Sequence, residues 1–144
     1  MSPVDAALIR RKLGHITDAL TALRPLADLS LEEYRRRLYE RKAAERLLQE
    51  AIEAALDVNS HLIAEHGIAV PEDYYGGFLA VGTIGVVPER LASDLAPSAG
   101  LRNRLVHEYE AIDDRKVLAS IGSMLKLYPQ FVDAIEAFLA RSGI

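Results

Sequence analysis

The chain has 144 residues, half of them hydrophobic and 26% charged, which is long enough to bury a real core and outside the disordered range. A net charge of −4 argues against a generally basic nucleic-acid binder, so any nucleic-acid site has to be a local patch. The absence of cysteine excludes disulfides, thiolate metal sites and thiol catalysis, and suits a reducing cytoplasm.

The N-terminal stretch MSPVDAALIRRKLG lacks the apolar core of a signal peptide. In chain order, Leu8, Leu13, Ile16, Leu20 and Leu23 fall close to one helical stripe, and Pro25 limits that first helix. SLEE then gives a capping box, with Ser30 at the cap and Glu33 three residues on. From Leu31 the pattern predicts one long helix ending at Gly67, its buried side marked by Leu31, Tyr34, Leu38, Leu48, Ile52, Leu56 and Leu62. IAVPED is a connection. Tyr74 to Val87 suits strand or helix by composition and is taken as a short buried helix, whose glycines at 76, 77, 82 and 85 would let neighbouring backbones approach closely. Its run GGFLAVGTIGVV is 12 residues, short of the roughly 20 of a membrane-spanning helix, so no membrane association is expected. Pro88 and Pro97 suit first-turn positions of two further helices, the second running to Ile112. The remainder supplies one or two helices, with Pro129 at a break or kink. The expectation is all-α: an up-down bundle of about five to six helices, one domain over 1–144, with no repeat or linker.

The stretch LRNRLVHEYEAI, Leu101 to Ile112, places more polar chemistry on two turns than core filling needs. On a continuous helix Arg102 and Tyr109 share a face, Asn103 and His107 are neighbours, and so are Arg104 and His107. Arg102 and His107 lie five apart, about 140° around the axis, so they converge on one ligand only from the flanks, or if the helix frays near His107. Histidine exchanges protons near neutrality, and arginine forks a phosphate while staying charged. Together they suit cleavage of a phosphodiester by the ribose 2′-hydroxyl, with no metal or cofactor. One histidine does not readily serve both the attacking and the leaving oxygen, so two copies across a dimer are a natural solution. The plainer reading is a solvated helix end with a cation favoured by the helix dipole.

RNRLVHEY, preceded by Gly100 and Leu101, resembles the motif of HepT-like toxin ribonucleases in the HEPN superfamily: Arg, four residues, His, one residue, Tyr. ALDVNSHLIAEHG resembles that family's long-helix segment, and GIAVPEDYYGGFLAVGTIGVVPERLASDL its connection into the motif helix. The match covers about residues 45–112. The resemblance implies a HEPN-like bundle in a type VII-like toxin–antitoxin system. It implies an endoribonuclease acting on RNA as a homodimer with a composite site, Arg102 and His107 being the catalytic pair. It also implies a nucleotidyltransferase antitoxin that attaches AMP to Tyr109. Asn103 would orient the histidine or bind phosphate, and Arg104 stands at a variable motif position as an RNA-contact candidate. The alternative within the same superfamily is a non-catalytic module that binds a nucleotide or partner.

Asp57 and His61, four apart on the long helix, either orient the motif from behind or form a buried polar pair tying two helices together. Glu53, one turn earlier, makes a carboxylate–histidine metal site conceivable, but two acids and one histidine are a weak metal signal. In YRRRLYERK, Arg35 and Arg36 are candidate RNA contacts, with Tyr34 or Tyr39 available for stacking. The plainer reading is a solvated face balanced by Glu32, Glu33, Glu40 and Glu45. His15 and His66 have no motif partner, and no P-loop, Rossmann or serine-hydrolase signature is present.

Overall fold

The computed structural model describes residues 4–143, so both ends of the expected 1–144 domain lie outside the described residues. Among these it is all helical, with seven α-helices: α1 (Ala6–Leu23), α2 (Leu31–Arg36), α3 (Leu38–Glu65), α4 (Tyr74–Thr83), α5 (Glu89–Leu95), α6 (Ser98–His107) and α7 (Asp114–Arg141). Short 3-10 turns cover Arg24–Leu26 and Tyr109–Ala111. Counted with α2 and α3 as one interrupted rod, the bundle has the expected six. No described helix is long and apolar enough to cross a membrane.

The long α3 is the spine. Its small apolar residues, among them Ala44, Ala51, Ala54 and Ala55, are buried and let α1, α4 and α6 pack close along it. α7 closes the core with Val117, Ile121, Met124, Tyr128, Phe131, Ile135 and Leu139, an i, i+3/i+4 stripe facing α1, α2 and α5. The capping box forms as read: the Glu33 N–H donates to Ser30 Oγ, and the Ser30 N–H to Glu33 Oε1, each at 3.1 Å. α3 stops at His66, with Gly67 at φ 71°, a left-handed conformation that glycine takes without steric cost.

Several boundaries differ from the sequence reading, among them α4, which ends at Thr83 rather than Val87, with Gly85 at φ 81° in the turn that follows. The rod expected from Leu31 breaks at Arg37 (φ −105°, ψ 81°). An unbroken helix would set Ala44 about 80° round from Tyr34, at opposite edges of one buried stripe. The turn re-phases the chain: Tyr34 packs in, Ala44 and Leu48 follow, and Leu38, expected inside, is exposed. The motif helix ends at His107 rather than Ile112, where Glu108 leaves helical geometry (φ −125°, ψ 33°). Glu108 and Glu110 oppose the negative end of the helix dipole, and Asp113 competes by starting α7, accepting from the N–H groups of Arg115 and Lys116. Nor does Pro129 divide the last segment, where a break or kink was expected: α7 runs through it as one helix, its buried stripe continuing on both sides as Tyr128 and Phe131.

In α4, a Cβ on Gly82 would lie 2.7 Å from the Ala92 Cβ and 3.3 Å from the Glu89 Cα. That is the close α4–α5 approach the glycines suggested, realised at Gly82 and not at Gly77, which faces open space.

Candidate functional site

α6 places its polar residues on different sides because Leu101, Leu105 and Ala99 hold the helix to the core. Arg102 points to α3 and α4. Its Nη2 donates to Glu53 Oε2 at 3.1 Å, and its Nη1 to Asn103 Oδ1 at 3.3 Å. The guanidinium carbon sits 5.2 Å from the centre of the Tyr74 ring, within cation–π range. Nε is buried with no hydrogen-bond partner, and the side chain is 17% exposed. Glu53 is itself fixed by Gln49, whose Nε2 donates to Oε1 at 3.1 Å. The arginine is thus held by a carboxylate, an amide and an aromatic face at the rim of the core, where water still reaches the partners. To fork a phosphate it would exchange Asn103 or Glu53 for the ligand.

His107 is the last helical residue and is exposed. It lines an open depression of about 380 Å³ together with Glu108, Tyr109, Glu110 and Ala111; Arg102 does not. Because α6 stays helical to His107, the ideal-helix offset of about 140° between the two stands. Tyr109 is 63% exposed and lies in the 3-10 turn, off the helix, so it does not share the Arg102 face as a continuous helix would require. Arg104 turns the opposite way from Arg102. It lines cavities of about 340 Å³ and about 190 Å³ against α7, the latter with Glu108 and Lys116, and shares neither with His107.

Asp57 and His61 face α1. Lys12 Nζ donates to Asp57 Oδ2 at 2.8 Å, and the Asp5 backbone N–H donates to His61 Nε2 at 3.1 Å. Their observed contacts tie the spine to the N-terminal helix, not to the motif. Glu53, Asp57 and His61 therefore have three separate engagements, and no group of three or more potential metal-ligating side chains occurs among the described residues. Arg35 and Arg36 are exposed in the last turn of α2, Arg36 beside Glu32 at 3.8 Å in a pair too solvated to contribute much. That corner is joined to the start of α7 by Arg41 and Asp114, 3.5 Å apart.

Sequence reasoning missed Glu53 as the partner of Arg102, and Tyr74 altogether. Glu53 stands one turn before Asp57 and its partner lies 49 residues on, so no local signal marks the pair. Nothing local marks Tyr74.

The comparisons agree with this architecture. The family model described as "Ribonuclease HepT-like" matches residues 16–135, well beyond the segment 45–112 that carries the resemblance in sequence. The chain is 33% identical over 139 residues to a tRNA nuclease HepT of Aphanizomenon flos-aquae, covering 96% of this chain and 95% of that one. It superposes with TM-score 0.84 on YutE of Bacillus subtilis, a cytosolic protein of unknown function, at 22% identity over 99% of this chain and 95% of that one. It also superposes with TM-score 0.80 on a tri-AMPylated HEPN toxin of Shewanella oneidensis solved in complex with an MNT antitoxin, at 22% identity over 90% of this chain and 97% of that one. With its helical order, its motif on α6 and the family match over most of its length, this chain belongs to the HepT-like ribonuclease family.

Proposed function

We propose that the protein is the toxin of a toxin–antitoxin pair, an endoribonuclease that cleaves RNA through attack of the ribose 2′-hydroxyl and draws on no metal. The observation that carries this reading is the Arg102 clamp: a fixed guanidinium with an unsatisfied buried Nε, held by Glu53, Asn103 and Tyr74 one and a half turns from an exposed His107. In the reaction the 2′-oxygen bonds to phosphorus and the 5′-oxygen leaves. A histidine takes the 2′-hydroxyl proton, and a histidine supplies one to the departing oxygen. Arg102 stabilises the charge on the non-bridging oxygens.

The angle between Arg102 and His107 supports a homodimer, since two copies supply two histidines and let groups from different chains surround one phosphate. Asn103 is suited to phosphate or to the second histidine. Arg104, Arg35 and Arg36 are candidates for contacts along the RNA backbone away from the cleavage point. Asp57 and His61 support the site indirectly, by bracing α3 against α1. The protein's place is the cytoplasm, where RNA and a nucleotidyltransferase antitoxin are both available. That antitoxin would transfer AMP from ATP to the exposed Tyr109: the phenol oxygen bonds to the α-phosphorus, pyrophosphate leaves, and the phenol proton goes to solvent or a base. This rests on the exposure of Tyr109 and on the structural neighbours, a tri-AMPylated toxin with its antitoxin among them.

The test is RNA cleavage in EDTA by wild type, Arg102→Ala and His107→Ala. Wild-type products ending in 2′,3′-cyclic phosphate, with both variants inactive, are expected. Equal behaviour of all three, or 3′-hydroxyl ends, would remove the assignment. The second reading, a non-catalytic binding module, has in its favour that Arg102 is already engaged by Glu53 and Asn103. ATP binding without cleavage would establish it.

A further inference from the structure

We infer that Tyr74 is the stacking platform for the nucleobase next to the scissile phosphate, so that α4, and not only the motif helix, positions the substrate. The inference rests on the nuclease reading above. The ring centre is 5.2 Å from the guanidinium of Arg102, so a phosphate forked by Arg102 carries a neighbouring base within reach of that ring. Although the arginine covers part of it, Tyr74 remains 44% exposed, so ring surface is left for a flat partner.

The mount is rigid. Asp73 caps α4, accepting from the Gly76 N–H at 2.7 Å. A Cβ on Gly76 would lie 2.9 Å from that same Asp73 oxygen and 3.0 Å from the Pro71 Cβ, so the first turn is tightly closed. The backbone of Tyr74, the first residue of this turn, is therefore set before any ligand arrives. A base sandwiched by a ring that is itself backed by a cation gains both stacking and electrostatic attraction. Every base has a π-face, so the platform demands that a base be present while discriminating weakly among bases.

The test compares wild type, Tyr74→Phe and Tyr74→Leu on a short RNA and on the same RNA with an abasic nucleotide beside the cleavage point. On intact RNA, Tyr74→Leu should raise KM about tenfold, the scale of one lost base stack, and Tyr74→Phe, which keeps a ring, should recover most of that loss. The abasic RNA should cost wild type a similar factor and Tyr74→Leu almost nothing more. A merely structural role, holding Arg102 in place, would lower kcat of Tyr74→Leu alike on both substrates and leave the abasic penalty intact; that result overturns the inference.

The chain contains no tryptophan, so Tyr74→Trp introduces a single indole. Its emission should be quenched saturably by a non-cleavable 2′-O-methyl oligonucleotide. Unchanged emission in a preparation that cuts RNA overturns the inference. So does emission that depends on protein concentration without RNA, since a second copy would then cover the ring. If no preparation cuts RNA yet the quench persists, the nuclease reading falls, and with it the place beside a scissile phosphate; what stands is base stacking on Tyr74 alone.

Discussion

Arg102 and Glu53, 49 residues apart in the chain, meet at 3.1 Å between α6 and α3. The ion pair fixes where the motif arginine points, because α6 alone leaves a long flexible side chain free to swing. It also matches a charge at the edge of the core, where an unpaired guanidinium would be costly.

Glu53→Gln should therefore act on both stability and chemistry. The Glu53 side chain is 36% exposed, so water screens the loss, and about 1 kcal/mol is expected rather than the several of a fully buried pair. In thermal denaturation that is a fall of roughly 3 °C. RNA cleavage should drop by a larger factor than this small destabilisation explains, mainly in kcat, because the phosphate fork proposed for Arg102 loses its anchor. A cycle with Arg102→Ala should show the two changes to be non-additive. Additive effects would mean that the pair is incidental to the site.

A paired glycine experiment checks the packing that brings α4 to the site. Gly82→Ala drives a methyl to 2.7 Å from the Ala92 Cβ and should destabilise by about 1–3 kcal/mol. Gly77→Ala meets nothing within 4 Å and sits inside the same helix, so it should stabilise by about 0.5–1 kcal/mol. Denaturant midpoints moving in the same direction for both would contradict the α4–α5 contact.

Local signals carried the helices well. The Ser30–Glu33 box, the stop at Gly67 and the apolar stripe of α1 (from Leu13 on, with Ile9 rather than Leu8 buried before it) are each decided by residues within a turn or two, and sequence spacing sees them directly. The motif's position on a helix after the long spine was legible for the same reason. What was hidden depends on distant partners. Glu53 looked like a neighbour of Asp57 and His61, yet it serves Arg102 on another helix, while those two serve α1. The break at Arg37 and the end of α6 at His107 are balances between competing phases and caps, where helical periodicity alone continues past the stop. Tyr74 carries no local mark, because its role exists only once α4 lies against α6.

The two buried tyrosines should part company on substitution. Tyr128 exchanges a hydrogen bond of 2.7 Å with Ser98, so Tyr128→Phe should cost about 1 kcal/mol. The Tyr34 hydroxyl is buried without a partner, so Tyr34→Phe should be neutral or stabilising. Burial pushes both phenols up from their ordinary value, because the phenolate would be desolvated; carboxylates at Glu45 and Asp114 add to this at Tyr34, and the Ser98 hydrogen bond opposes it at Tyr128. Each folded-state value is raised above the unfolded one, so the stability is fully present below the ordinary phenol value, about 10, and is lost as pH rises beyond it. Denaturant unfolding followed against pH should show stability falling in that alkaline range, and less steeply in either phenylalanine variant. A wild-type profile flat through that range would contradict the assignment.

Tyr109 offers the sharpest separation of regulation from folding. It is 63% exposed and stands in a 3-10 turn outside α6, so Tyr109→Phe should leave stability within about 0.5 kcal/mol of wild type. Its side chain is exposed beside an open depression, so loss of the oxygen removes an acceptor for AMP and little else. Co-expressed with a nucleotidyltransferase antitoxin, wild type should gain mass in AMP steps while Tyr109→Phe should not. The purified variant should still cleave RNA, because the catalytic pair proposed at Arg102 and His107 is untouched. The modification would act by charge and bulk: a phosphodiester anion placed in the His107 depression repels the RNA backbone and fills the space a substrate needs. AMP adducts persisting on Tyr109→Phe would move the acceptor elsewhere. A variant that escapes modification but has lost cleavage would make Tyr109 part of the reaction itself rather than its switch.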